Sequence, residues 1–278
     1  MTPGVWEILY SCSNVKGHVR RNNEDNFYAC GRFRKQEELF NDITVHGSVR
    51  SRDRQVFGVY DGMGGEACGE MAAYLAAEGT EDFVGREGDP QAVLRELSAV
   101  LNRRIFTYAE EASVKVMGST EVVALFAEDG IHFANIGDSR IYRLTKEGIE
   151  QLSRDHVLQS FRGRKSPLTQ HLGIPEKELL LEPHFCYRPY KKGDRYLLCS
   201  DGITDMLDNE QIYNILSRPM ALHDCNEQLV KEALDKGGVD NITSMVFEIS
   251  HRGALLRRTK AFFAFGRSHG SGENRKGS

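Results

Sequence analysis

The chain lacks any Cys-x-x-Cys pair. Its six cysteines, Cys12, Cys30, Cys68, Cys186, Cys199 and Cys225, are scattered and sit mostly in apolar or strand-like settings. That usage suits reduced core thiols in a cytosolic protein. No cysteine is followed by arginine at the spacing of a cysteine-dependent phosphatase, and there is no P-loop and no His-Glu-x-x-His. Covalent thiol chemistry and zincin chemistry therefore have no support. No run approaches the roughly 18 apolar residues of a membrane span, and no basic segment leads into an apolar one at the N-terminus. The expectation is a soluble, cytoplasmic protein. A net charge of −4 implies no general affinity for nucleic acid or anionic membrane. No internal repeat is visible.

What is present is a chain of 278 residues, 40% hydrophobic and 27% charged, with strand-like runs spread evenly along it. One domain is the reading. Aspartates followed by Gly, Asn or Ser recur at the ends of apolar runs. Asp61-Gly62 follows Val56–Tyr60, Asp138-Ser139 follows His132–Gly137, Asp201-Gly202 follows Tyr196–Ser200, and Asp240-Asn241 precedes Ile242–Phe247. Carboxylates at strand mouths, beside residues that let backbones come close, present oxygen ligands to hard cations. Several converging point to two or more divalent metals and to metal-assisted hydrolysis of a phosphate ester.

The patterning predicts strands at 6–12, 27–29, 55–60, 120–127, 131–136, 140–145, 195–200 and 241–249. Helical spacing follows Glu66, fills 90–108 behind Pro90, and returns near 209–216 and 224–235. Strands separated by paired helices imply an α+β fold on antiparallel sheets. Residues 31–54 mix Arg and Lys with Glu and Asp and read as a solvated insertion loop. Residues 154–178 read as polar and irregular. After His251 the chain is basic and rich in small residues, and 252–278 read as a disordered tail.

Asp-Gly alone is weak, since it is also a common hairpin dipeptide; Asp129-Gly130, flanked by strands, is read that way. Asp61-Gly62 and Asp201-Gly202 lead into helices, where the turn needs no carboxylate, and a ligand role is the better reading. Gly62-Met63-Gly64-Gly65-Glu66-Ala67 fits a dinucleotide fingerprint, but Asp61 would set a negative charge against the pyrophosphate. Gly266-Arg267-Ser268-His269-Gly270 fits a nucleophile elbow, but lies in the polar tail with no strand before it. Arg20 reads either as a surface ion pair or as a guanidinium fork for a phosphoryl group. Arg21 would point the other way on an extended chain.

Eight segments, in order, resemble the PP2C (PPM) family of metal-dependent Ser/Thr protein phosphatases, bacterial type. They are Gly17-His18-Val19-Arg20 with Asn23-Glu24-Asp25-Asn26; Val59-Tyr60-Asp61-Gly62-Met63-Gly64-Gly65; Gly118-Ser119-Thr120; Ala134-Asn135-Ile136-Gly137-Asp138-Ser139-Arg140; Asp155-His156; Leu168-Thr169 with Leu172-Gly173; Leu198-Cys199-Ser200-Asp201-Gly202; and Gly238-Val239-Asp240-Asn241-Ile242-Thr243. The resemblance implies a sandwich of two antiparallel sheets flanked by helix pairs, within a phosphatase domain spanning 1–251. It implies two Mn²⁺ or Mg²⁺ ions, with a third in many members. Asp61 would bridge the pair, Asp201 and Asp240 would hold the first ion, and the Gly62 carbonyl and Glu24 would serve the second. Asp138 with Asp201 would hold the third, and Arg20 would bind substrate phosphate. The implied partners are phosphoprotein substrates and an opposing Ser/Thr kinase, with the chain a monomer. A rival reading is a catalytically silent binding module, which the full set of aspartates disfavours. Two departures bear on the chemistry. Met63 stands where eukaryotic members often carry a proton-donating His, with His18 and His156 as weak substitutes. Gln170-His171 stand where Arg-Ala is usual.

Overall fold

The computed structural model describes residues 5–38, 41–64, 68–158, 166–175 and 177–251. The proposed tail at 252–278, and the elbow-like motif within it, lie outside the described residues. In chain order the elements are β1 (Trp6–Val15), β2 (Asp25–Ala29), β3 (Ile43–Arg50), β4 (Val56–Met63), α1 (Gly69–Thr80), α2 (Pro90–Glu111), β5 (Gly118–Ser119), β6 (Glu121–Phe126), β7 (Ile131–Ile136), β8 (Arg140–Thr145), β9 (Gly148–Gln151), β10 (His184–Arg188), β11 (Arg195–Cys199), α3 (Asp201–Thr204), α4 (Asn209–Leu216), α5 (Leu222–Asp235) and β12 (Ile242–His251).

Two sheets form, in the orders β3-β1-β12-β11-β8-β9 and β10-β7-β6-β4-β2, with β5 added to the end of β4. The described pairings are antiparallel. Inner faces of both sheets meet over Ile8, Phe27, Phe57, Phe126, Phe133, Tyr196 and Phe247. Phe57 and Phe247, from opposite sheets, meet edge to face with centroids 5.0 Å apart, a geometry that adds to area burial. Each such buried side chain contributes on the order of 1.5–3 kcal/mol.

The helices cover the outer faces. In α2, Val93, Leu94, Leu97, Leu101 and Ile105 all pack against the β4–β6–β7 face together with the alanines of α1. Its start is fixed by Asp89, whose carboxylate accepts the Ala92 N–H at 2.8 Å, and by Pro90 in the first turn. On the other side α4 and α5 bury Ile212, Leu216, Leu229 and Ala233 against Tyr142, Leu197 and Val246. This is the helix–sheet–sheet–helix sandwich expected.

Residues 31–54 are not the solvated loop expected. They contain β3, an edge strand paired to β1 from Asn14↔Ile43 to Glu7↔Arg50. Their Arg34 is among the most deeply buried side chains, 2% exposed. The strand went unread because one face meets water, so Thr44, His46, Ser48 and Arg50 alternate with the residues that pack inward. Strands β9 and β10 were missed for the same reason; both lie at sheet edges.

Candidate metal centre

One end of the sandwich gathers the residues singled out from sequence. In the β2–β4 ladder Asp25 lies directly opposite Asp61. The polypeptide leaves β7 in one sheet and enters β8 in the other through Gly137-Asp138-Ser139, so Asp138 sits at the crossing. Asp201 opens α3 at the end of β11 and is 4% exposed. Asp240 immediately precedes Asn241 and β12. Arg20, from the loop after β1, reaches the cluster through a 2.7 Å contact between its Nη2 and Asp240 Oδ2. Partial burial works against the Arg20 charge, but that hydrogen bond and the fields of Asp240, Glu24 and Asp61 outweigh it, and its pKa is raised.

The backbone around these carboxylates is tied down by neighbours. Asp61 N–H donates to Thr120 Oγ1 at 3.0 Å, and Asp61 O accepts from Thr120 N at 2.8 Å. Thr120 Oγ1 in turn bonds Ser139 Oγ at 2.7 Å, linking Asp61 to the crossing that carries Asp138. Asn241 joins the loop after β1 to Asp240. Its Oδ1 accepts the Glu24 N–H at 2.8 Å, and its Nδ2 donates to Lys16 O and Asn22 O. The residue after Asp240 is therefore a tether.

Glycine is required at two of the Asp-Gly pairs by close approach. A Cβ on Gly202 would lie 2.0 Å from Asn241 O, and one on Gly62 would lie 1.9 Å from Gly69 O and 2.6 Å from Glu24 O. These are backbone atoms that cannot rotate away. Gly62→Ala is expected to cost at least about 1–3 kcal/mol, read from the urea midpoint at unchanged m-value.

One residue that the sequence reading left without a role, Asp25, lies at the candidate centre. Asp25 appeared only inside a motif, and lies 2% exposed between Asp61 and the β11–β12 end. Burial raises its carboxyl pKa, hydrogen bonds from Ser200 and Thr243 pull it back, and the charges of Asp201 and Asp240 push it up again. Glu24 is raised by burial and by Glu70, with Arg20 pulling the other way. Both faces of β2 are buried here.

Some candidates fall outside the cluster. His156 Nδ1 accepts the Gly137 N–H at 3.1 Å, so it braces the crossing, and burial lowers its pKa. Asp155 is paired to Arg140 at 2.7 Å. The His18 backbone N–H is bonded to Gly238 O. His171 lies beside Met63: a Cβ on Gly118 would be 2.6 Å from His171 Nδ1 and 3.0 Å from Met63 Cε.

The donor set of Glu24, Asp25, Asp61, Asp138, Asp201 and Asp240 is all carboxylate oxygen, with backbone carbonyls packed close. Hard divalent cations fit such a set, and thiolate-seeking metals do not. Asp25 and Glu24 are raised first by burial and then by neighbouring carboxylates, Asp201 and Asp240 for Asp25 and chiefly Glu70 for Glu24, a cost that bound cations would relieve.

The family profile described as Protein phosphatase 2C matches residues 30–236. The chain belongs to the protein phosphatase 2C family. It is 31% identical over 256 residues to the Ser/Thr protein phosphatase PstP of Mycobacterium tuberculosis, covering 87% of this chain and 45% of that relative. It is 29% identical over 252 residues to the Ser/Thr phosphatase stp of Listeria monocytogenes, covering 84% of this chain and 92% of that one. The chain thus spans under half the length of the mycobacterial relative and nearly all of the listerial one. The crystal structure of mycobacterial PstP superposes with a TM-score of 0.72 at 30% identity, covering 88% of this chain and all of that chain. The PstP catalytic domain in complex with two manganese ions gives 0.70 at 31% identity, covering 88% and 99%. The 2C-type sandwich read from the motifs is therefore the observed one. Among the described residues no helix is long and apolar enough to cross a membrane.

Proposed function

We propose that this protein hydrolyses phosphoserine and phosphothreonine in proteins as a metal-dependent phosphatase, using two Mn²⁺ or Mg²⁺ ions with a weaker third. The observation that carries the reading is the placement of Arg20. It is held beside the carboxylate cluster by Asp240 while its side chain stays 47% exposed, so a guanidinium is offered to an incoming anion at the rim of a cation-demanding site. In such a site bound metals supply a water whose pKa falls toward ~7.

The protein's own groups divide the remaining work. Asp61, held by Thr120, would serve both ions; Asp201 and Asp240 would hold the first, and the Gly62 carbonyl and Glu24 the second. Asp138, with Asp201, would hold the weaker third. Arg20 binds two phosphoryl oxygens and neutralises charge as the in-line displacement proceeds. The proposal extends to a cytoplasmic monomer acting on phosphoproteins and opposing a Ser/Thr kinase.

With Mn²⁺ the protein is expected to release phosphate from a phosphothreonine peptide, and EDTA to abolish release. Arg20→Ala should lower kcat/KM about 10- to 100-fold, the worth of charge-assisted hydrogen bonds at 1.5–3 kcal/mol. Folded, Mn²⁺-loaded protein with no turnover would sink the enzymatic reading.

A further inference from the structure

Arg34 is a buried cation whose guanidinium protons go to neutral oxygens. Nε donates to Asn14 Oδ1 at 2.7 Å, Nη2 to the same Oδ1 and to Asn14 O, and Nη1 to Glu38 O. Its backbone is clasped by Asn26, which accepts the Arg34 N–H and donates to Arg34 O, both at 2.9 Å. A cation buried this way is costly, and Met of similar volume would fill the space without that cost. Its partners suggest what it does.

Asn14 Oδ1 also accepts from Asn23 Nδ2 at 3.2 Å. With donors converging on that oxygen, the Asn14 amide has one possible orientation, and its Nδ2 faces Thr243 Oγ1 at 2.7 Å. Nδ2 can only donate. Thr243 therefore accepts from Asn14 and has its own proton left to give, and Asp25 Oδ2 lies 2.7 Å away. Ser200 Oγ donates to the same Oδ2 at 2.7 Å while accepting the Thr243 N–H at 2.9 Å. Arg34, Asn14, Asn23, Thr243, Ser200 and Asp25 are each 2% exposed or less, so no solvent water competes for these bonds.

We propose that Arg34 is a positioning residue for the metal centre, fixing the Asn14 amide so that Thr243 must donate to Asp25 and hold that carboxylate opposite Asp61. Without Arg34 the Asn14 amide can turn over, and its oxygen then competes with Asp25 for the Thr243 proton. Directed chains of this kind, one bond behind a metal site, orient the groups that face the metal. The inference rests on the proposed metal-dependent function for its meaning, but its test reads metal affinity.

The experiment is a double-mutant cycle of Arg34→Met and Thr243→Val, with Mn²⁺ affinity measured by electron paramagnetic resonance of the free ion. Each single change is expected to weaken Mn²⁺ binding about tenfold, the lower end for groups behind a metal ligand. The pair should also weaken it about tenfold, because both remove the same donated proton. A pair weakened about a hundredfold, as independent sites would give, overturns the proposal. So does an Arg34→Met protein that melts earlier yet binds Mn²⁺ as the wild type does, which is the mark of a purely structural arginine. Should Arg34→Met not fold, Asn14→Asp replaces it in the cycle. That side chain still accepts from Arg34 but, ionised, cannot donate to Thr243, so weaker Mn²⁺ binding is expected despite the added negative charge, and tighter binding overturns the proposal. Wild-type protein that binds Mn²⁺ but hydrolyses no phosphate ester would fail the proposed activity while leaving the cycle readable.

Discussion

Asp61→Asn is expected to lower kcat/KM at saturating Mn²⁺ on the order of 10³-fold, about 4 kcal/mol of barrier at 1.36 kcal/mol per decade. The substitution keeps size and shape and removes one charge. In the proposed centre that charge would serve both ions, and its loss would weaken the hold on each. The fold should not suffer. Asp61 is secured through its backbone to Thr120 and Ser119, bonds that a side-chain amide leaves intact. Without metal the variant is expected to be at least as stable as the wild type, because one member of a repelling cluster has been neutralised. The wild type should gain stability from Mn²⁺, about 2.7 kcal/mol at a hundred times the dissociation constant, and the variant should lose most of that gain. Thermal melts with and without Mn²⁺, beside kinetics, separate this from misfolding. A variant that keeps both turnover and the metal-induced shift would remove Asp61 from the ligand set.

Much of this candidate centre was legible because its proposed ligands carry local signatures. Asp61 and Asp201 follow apolar runs that lead on to helices, and the glycine after each marks a close approach that the structure bears out, since an added Cβ would come within 1.9–2.0 Å of a backbone oxygen. Asp138 was found at a strand exit too, but its place at the crossing between sheets depends on which strands pair, and sequence order does not reveal that. The β6–β7 and β8–β9 hairpins are local, whereas the central β1–β12 ladder joins residues more than two hundred positions apart. Asp25 and Arg34 were overlooked for a different reason. Charged residues in polar stretches are usually solvated; Asp25 is buried by the β4 partner and by Ser200 and Thr243 at the ends of β11 and β12, and Arg34 by Asn14 and the Gln36–Glu38 turn. Such burial is a tertiary event with no periodicity to announce it. The Asn14–Thr243 link is likewise invisible in sequence, since it exists only once β1 lies against β12.

Glu121 gives the protein a pH-dependent stability that has no part in catalysis. It lies on β6 facing the α2 layer, 0% exposed, near Tyr60 and the Ser98 hydroxyl, which donates to Leu94 O at 3.1 Å. Burial raises its pKa to about 8, and with the Ser98 proton given to Leu94 O neither of its oxygens has a hydrogen-bond partner among the described residues. In the unfolded chain a glutamate titrates near ~4.3. Between these values the folded state keeps a proton that the unfolded state has released, so the native form binds more protons and unfolding free energy falls as pH rises. The stabilisation is complete below about pH 4 and is lost as pH climbs to about 8. Its ceiling is the shift multiplied by 1.36 kcal/mol per unit, about 5 kcal/mol. Glu121→Gln keeps the shape and cannot ionise. Its stability relative to the wild type should rise by about 3–4 kcal/mol between pH 5 and pH 8. Asp25 contributes a slope of the same sign, but it is present in both proteins and cancels in the difference between them. Urea titrations of the two proteins at pH 5, 6.5 and 8 provide the measurement. Parallel curves across that range would mean that Glu121 is ionised in the folded state, held by a partner strong enough to offset its burial.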